Sequence, residues 1–229
     1  MLHVNAARLA AGGGAWTPAD LTNLYVWLDA TDASTFTYSS STIVSTWADK
    51  SGNGFDATTT SGSPNRNVTI NSLDAVAFSS AYMTIANPSL SQPLWIWSAW
   101  RQTSLAADND MIAQASPLVV LRMEFAGANR LIYAGATGLQ PGAKFANDTN
   151  YVWGAFMSGT SSYERLNGVA SSTANAGTDG LTSGGVLICK QGNGGGLYGA
   201  YMGEVILTGS MTSDEITSME TYLARWGTI

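Results

Sequence analysis

The sequence predicts an all-β protein closed by one C-terminal α-helix, and three observations carry that expectation. Charged residues make up 11% of the 229-residue chain, against roughly 25% in an average globular protein, so Ser, Thr, Asn and Gly must supply the polar surface. Short runs rich in aromatic and β-branched residues recur along the chain, separated by turn residues, as strands do. Only the segment 212–227 combines a helix start signal, an apolar stripe at helical spacing and a stop. A chain of this length suits one all-β domain. The expected organisation is an N-terminal arm over 1–15 and one domain over 16–229.

Each element has its own signal. The arm is broken by Gly12-Gly13-Gly14 and carries a few apolar side chains, Leu2, Val4 and Leu9, expected to dock on a neighbouring subunit or on the domain itself. Strands are expected over 24–29, 35–38 and 43–47, the last two joined by serines at 39–41. Asp29 and Asp32 flank a turn. WADKSGNGFD, from Trp47 to Asp56, reads as a tight surface loop with Trp47 and Phe55 as anchors and Asn53 and the glycines supplying positive φ. Further strands are expected over 57–60, 75–78, 82–85, 94–100, 111–113, 118–125, 130–134, 150–158, 162–166, 184–190 and 201–207. Asn167-Gly168 matches a two-residue type I′ hairpin turn. Thr212-Ser-Asp-Glu215 is a capping box, Ile216, Met219, Tyr222, Leu223 and Trp226 form one helix face, and Gly227 is the stop.

Charge and cysteine content narrow the function classes. With 10 basic and 16 acidic residues, a net charge of −6 and no Lys/Arg cluster, nothing matches a nucleic-acid partner. The single Cys189, among apolar neighbours, reads as a small buried hydrophobe outside any internal disulfide. The N-terminus lacks a signal-peptide apolar core and no long apolar run suggests a membrane partner. Synthesis and folding in a reducing cytoplasm are expected.

The stretch LYVWLDATDASTFTYSSSTIVSTWADKSGNGFDATTT, from Leu24, resembles the opening of concanavalin A-like (laminin G-like) jelly-roll domains. YERLNGVASST and YGAYMGEVILTGSMTSDEITSMETYLARWG resemble the same family's close, with its Asn-Gly hairpin, its "aEvilyd" strand and its final helix. The likeness covers roughly residues 20–60 and 160–227 and is silent between them. It implies an antiparallel two-sheet jelly-roll sandwich. It leaves function open, because such sandwiches serve as lectins, glycanases, adhesion modules and virion proteins.

Glycoside cleavage needs paired carboxylates, and the related glucanases carry E-x-D-x-x-E. Here Glu124 has no second carboxylate at strand spacing, Glu164, Glu204, Glu215 and Glu220 are equally isolated, and the one histidine, His3, lies in the arm. The expectation is therefore that the chain is not an enzyme. Because it resembles the stand-alone jelly-roll chains of phage particles, it is instead expected to be a structural component of a tailed-bacteriophage virion: a capsid decoration (cement) protein, or a tail or fibre component, displayed on the virion surface. Its expected partners are major capsid or tail subunits and further copies of itself, a trimer among the symmetric options. The alternative is a carbohydrate-binding module. For that, Trp97, Asn53 and Asn193 are the candidate glycan contacts, Trp95, Trp100 and Trp153 further aromatics, and Gln191 and Asn175 further polar groups. No cofactor is required by the sequence. Calcium is the one ion whose oxygen-donor chemistry fits the loop, with Asp49 and Asn53 as ligands.

Overall fold

The computed structural model describes residues 14–104, 109–125, 127, 129–135, 137–182, 184–190 and 199–227. The arm residues Leu2, Val4 and Leu9, together with His3, Gln191 and Asn193, lie outside the described residues. The strands are, in order, β1 (Leu24–Asp29), β2 (Phe36–Ser40), β3 (Ile43–Trp47), β4 (Ala57–Ser61), β5 (Asn65–Ile70), β6 (Leu73–Phe78), β7 (Tyr82–Ile85), β8 (Leu94–Ser104) and β9 (Asp110–Ala115). They continue as β10 (Leu118–Phe125), β11 (Asn129–Ala134), β12 (Gly138–Leu139), β13 (Asn150–Met157), β14 (Tyr163–Leu166), β15 (Val169–Ala170), β16 (Val186–Ile188) and β17 (Gly199–Thr208). One α-helix, α1 (Ser213–Leu223), follows. Among the described residues no helix is long and apolar enough to cross a membrane.

The protein is an all-β sandwich in which, among the described residues, every strand pairing is antiparallel. One run of paired strands goes β15–β14–β13–β8–β17. The far edge of β17 takes β6 beside residues 200–202 and β1 beside residues 204–208. The other run goes β2–β3–β4–β7–β16–β9–β10–β11–β12. Strands β5, β12 and β15 fall where no strand is expected. β5 is a polar, half-exposed segment (NRNVTI) held by β6, and β12 and β15 are two residues each, so none has an apolar pattern to read. The Asn167-Gly168 turn does have the expected geometry: Leu166 faces Val169, and both turn residues have positive φ, 49° and 81°.

Period-2 alternation along the central strands builds two cores from one sequence. From β8, Leu94, Ile96 and Trp100 turn into the main core with Val26 and Leu28 of β1, Val205 of β17, and Val44, Met83, Leu121 and Ile188 of the opposite run. The intervening Trp95, Trp97 and Ala99 turn the other way. They join Trp27, Ile206 and Ile70 under Met219 and Leu223 of α1 and the following Trp226. Two glycines let the large rings lie flat on this second face. A Cβ on Gly154 would stand 2.5 Å from the Trp97 ring, and one on Gly203 2.5 Å from the Trp226 ring. The helix starts as expected, with Thr212 Oγ1 accepting from the Glu215 amide and Glu215 accepting from the Thr212 amide. It passes through a last 3₁₀ turn and ends at Gly227, φ 83°.

The end of the helical segment is fixed by a buried carboxylate. Glu204, on β17, has no exposed surface. Its Oε1 accepts from Trp27 Nε1 at 2.8 Å, and its Oε2 accepts from Trp226 Nε1 and Arg225 Nη2, both at 2.9 Å. Arg225 Nη2 also donates to Asp29 Oδ1, and Lys50 Nζ donates to Asp29 Oδ2. Burial pushes the Glu204 carboxyl above its ordinary range; Arg225 opposes that rise and Asp29 adds to it. Burial also acts upward on Asp29, but the Thr31 hydroxyl, the charge of Arg225 and Lys50 together bring it below its ordinary value.

Because Glu204 joins β1, β17 and the helical segment through three donors, Glu204→Ala is expected to lower stability by about 3–5 kcal/mol. Urea denaturation followed by tryptophan fluorescence measures it. A loss below about 1 kcal/mol, the scale of an ordinary single hydrogen bond, would mean the network is not what holds the helix.

Candidate functional site

The loop from Trp47 to Asp56 is built around its own acid. Asp49 Oδ1 accepts from the amides of Trp27 and Ser51, and Oδ2 from the Ser51 hydroxyl and the Phe55 amide. Asp56 Oδ1 caps the Asp49 amide. Asn53 Nδ2 donates to the carbonyls of Leu24 and Tyr25. The positive φ values belong to Gly52 and Gly54, while Trp47 is fully buried and Phe55 packs against the main core. Asp49 and Asn53 do come together, but their groups are directed at the chain's own amides and carbonyls rather than at a cation. Among the described residues no group of three or more His, Cys, Asp or Glu side chains is placed to hold a metal ion.

The expected aromatic glycan contacts are corrected by burial. Trp95 and Trp97 do share a face, with rings stacked 5.0 Å apart, but that face lies beneath α1. Trp97, Trp100 and Trp153 have no exposed surface and Trp95 has 1%, so none of them can touch a glycan. Alternation tells which side of a strand a residue takes, not whether a helix covers that side. Asn175 Oδ1 accepts from the Gly177 amide and serves as a turn residue. Cys189 is buried as expected, and burial raises its thiol well above the ordinary value.

A different constellation lies over β10, β11 and β12. Register sets Val120 opposite Tyr133, Arg122 opposite Leu131, and Tyr133 opposite Gly138. Val119, Leu121 and Ile132 face the main core. Their neighbours Leu118, Val120, Arg122, Leu131 and Tyr133 line the outside of the same strands, in a groove of about 310 Å³ completed by Phe125, Gly138 and Gln140. A Cβ on Gly138 would stand 2.5 Å from Leu131 Cδ1, so a larger residue there would crowd the groove floor.

Charge in the groove is held in place from below. Arg122 donates from Nε to Asp110 Oδ1 at 2.7 Å and from Nη2 to Oδ2 at 3.4 Å. Asp110 itself has no exposed surface. The guanidinium carbon lies 5.9 Å from the centre of the Phe125 ring. On the exposed rim, Gln140 Oε1 accepts from Asn129 Nδ2. Two residues along β10, Glu124 is 8% exposed and pairs with Lys144 at 3.1 Å. Arg130 of β11 binds Glu164 of β14, which also accepts from Trp153 Nε1, so this pair ties the two runs of strands together. The sequence carries one sign of the groove: a charged pair, Arg122 and Glu124, inside the apolar run LVVLRMEF. Tyr133 gives no such sign.

No protein-family model matches the chain, and no curated protein matches it. Solved structures do. Domain 4 of AbnA, a GH43 extracellular arabinanase from Geobacillus stearothermophilus, solved in complex with arabinotriose, is similar at TM-score 0.66 and 12% identity, over 86% of this chain and 98% of that one. Trypanosoma rangeli sialidase in complex with sialic acid is similar at TM-score 0.62 and 10% identity, over 92% of this chain. An arabinofuranosidase complexed with arabinofuranosyl-alpha-1,2-xylobiose is similar at TM-score 0.57 and 12% identity, over 91% of this chain and 59% of that one. This chain spans about a third of the sialidase chains, 35% of the first.

At these identities the likeness shows the fold, an all-β sandwich found within glycosidase chains. It overturns the expectation that the chain is not an enzyme. That expectation rested on the isolation of the carboxylates and the single His3, whereas these neighbours are a sialidase, an arabinanase domain and an arabinofuranosidase.

Asp49→Ala removes the acceptor of three backbone amides. It is expected to cost at least about 2 kcal/mol, read as a lower denaturation midpoint. A variant of unchanged stability would show that the loop does not depend on this acid.

Proposed function

We propose that the chain is a glycan-recognition domain with a concanavalin A-like, two-sheet jelly-roll arrangement, and that it takes its saccharide in the groove over β10–β12. The observation that carries this reading is the combination of Tyr133 and Phe125 with Arg122 and Gln140 in one apolar trough. A sugar ring offers a C–H face that packs on aromatic and aliphatic side chains, and hydroxyls that hydrogen-bond to planar donors and acceptors. The likeness to an arabinanase domain solved with arabinotriose supports the same class of ligand. Trp97 has no part in it, and Asn53 belongs to the loop.

Glycoside cleavage is a second reading, favoured by the glycosidase neighbours. The carboxylate to test is Glu124, next to Arg122 on the same face-alternating strand and close to Lys144. The virion role is a proposal about setting and rests on the sequence resemblance at 20–60 and 160–227. There the domain would decorate a capsid, tail or fibre, with the arm over 1–15 meeting capsid or tail subunits. Particles assembled without the chain are then expected to change in composition or stability on native electrophoresis, and unchanged particles would remove that reading.

In titration against an array of oligosaccharides, Tyr133→Ala is expected to weaken binding about tenfold, the equivalent of about 1.4 kcal/mol. Its circular dichroism should stay that of the parent, because Tyr133 is only half-buried. Equal binding by parent and variant would sink the assignment of the groove. Reducing ends released by the parent and lost in Glu124→Gln would select the cleavage reading.

A further inference from the structure

We infer that the groove selects neutral glycans and rejects sugars that carry a carboxylate; this rests on the reading that the groove binds saccharide. Of the eight described residues that line it, Leu118, Val120, Leu131, Tyr133 and Phe125 are apolar or aromatic, and Arg122 is the one with a formal charge. That charge is already matched: Asp110, wholly buried on β9, holds the guanidinium by two nitrogens. Among the described residues, Lys144 on the following loop is matched by Glu124 and Arg130 of β11 by Glu164. A uronic or sialic carboxylate entering the trough would lose its water against apolar walls and meet a cation whose field Asp110 largely cancels. An ionised group desolvated without its own counter-charge is strongly disfavoured. The net charge of −6 adds a repulsive field at longer range.

Neutral hydroxyls face none of this. They can pair with the Gln140 carboxamide at the exposed rim, while the ring packs on Tyr133 and Phe125. The Asp110–Arg122 pair thus acts as a charge filter: it leaves the trough without an unmatched cation.

The test is an array of neutral pentose and hexose oligosaccharides beside uronate- and sialate-bearing ones, probed with the full chain and quantified by titration of the hits. Neutral ligands are expected to bind at least about tenfold more tightly than their carboxylated counterparts. Gln140→Lys, on the exposed rim, adds a cation with no built-in partner and is expected to raise the acidic-to-neutral affinity ratio at least about tenfold. Asp110→Asn should shift the ratio in the same direction; if that buried change unfolds the domain, Gln140→Lys still decides. A parent chain that binds acidic glycans as well as neutral ones would overturn the filter and leave the glycan reading standing. A parent that binds neither class would remove the glycan reading itself.

Discussion

A carboxylate with no access to water must find its donors inside the protein, and Glu204 finds them on three separate pieces of chain. Trp27 comes from the first strand, Glu204 from the last, and Arg225 and Trp226 from the turn that follows the helix. The two ends of the domain are thereby closed against each other. Asp29 and Lys50 extend the network to the loop after β3. Such a cluster is costly to desolvate, so its worth lies in geometry: leaving any one donor or acceptor unmatched in the interior is the expensive alternative. The helix can dock in one orientation, and in that orientation it covers Trp95 and Trp97.

Strand β8 carries the second constraint. Its residues alternate between a core shared by the two runs of strands and a core shared with α1. Both faces are apolar, so the strand reads as a nearly continuous hydrophobic run, as doubly covered strands do. The same burial that stabilises the domain withdraws its tryptophans from any ligand. A site must then be sought where side chains near a cavity still meet solvent, and the groove over β10–β12, with Tyr133 and Phe125 half-buried and Gln140 exposed, is such a place. Its aromatic content is modest, Tyr133 and Phe125, and its polarity comes from a guanidinium braced by a buried acid. An arrangement of this kind favours oriented hydrogen bonds over charge attraction, in keeping with a saccharide ligand.

The loop WADKSGNGFD is a means of holding the fold together. Asp49 gathers three amides, Asn53 latches onto the carbonyls of β1, and the glycines take the left-handed conformations. Short-range patterns of this sort are legible in sequence because donor and acceptor lie in one turn or in a neighbouring strand with a recognisable signature. The same holds for the Thr212–Glu215 cap and the Asn167-Gly168 turn, each of which satisfies its own backbone within a few residues.

The all-β class, the C-terminal helix with its cap, the buried cysteine and most strand positions follow from the sequence alone, because each depends on side-chain periodicity or on local backbone chemistry. The groove does not. Arg122 and Glu124 stand out in an apolar strand, but Asp110, Leu131, Tyr133, Gly138 and Gln140 become their neighbours only through the register of three other strands. Whether Trp97 or Tyr133 meets solvent is likewise a property of what packs above each one. Alternation assigns a residue to a side of the sheet; only the tertiary structure decides which side a helix covers and where a groove remains beside it.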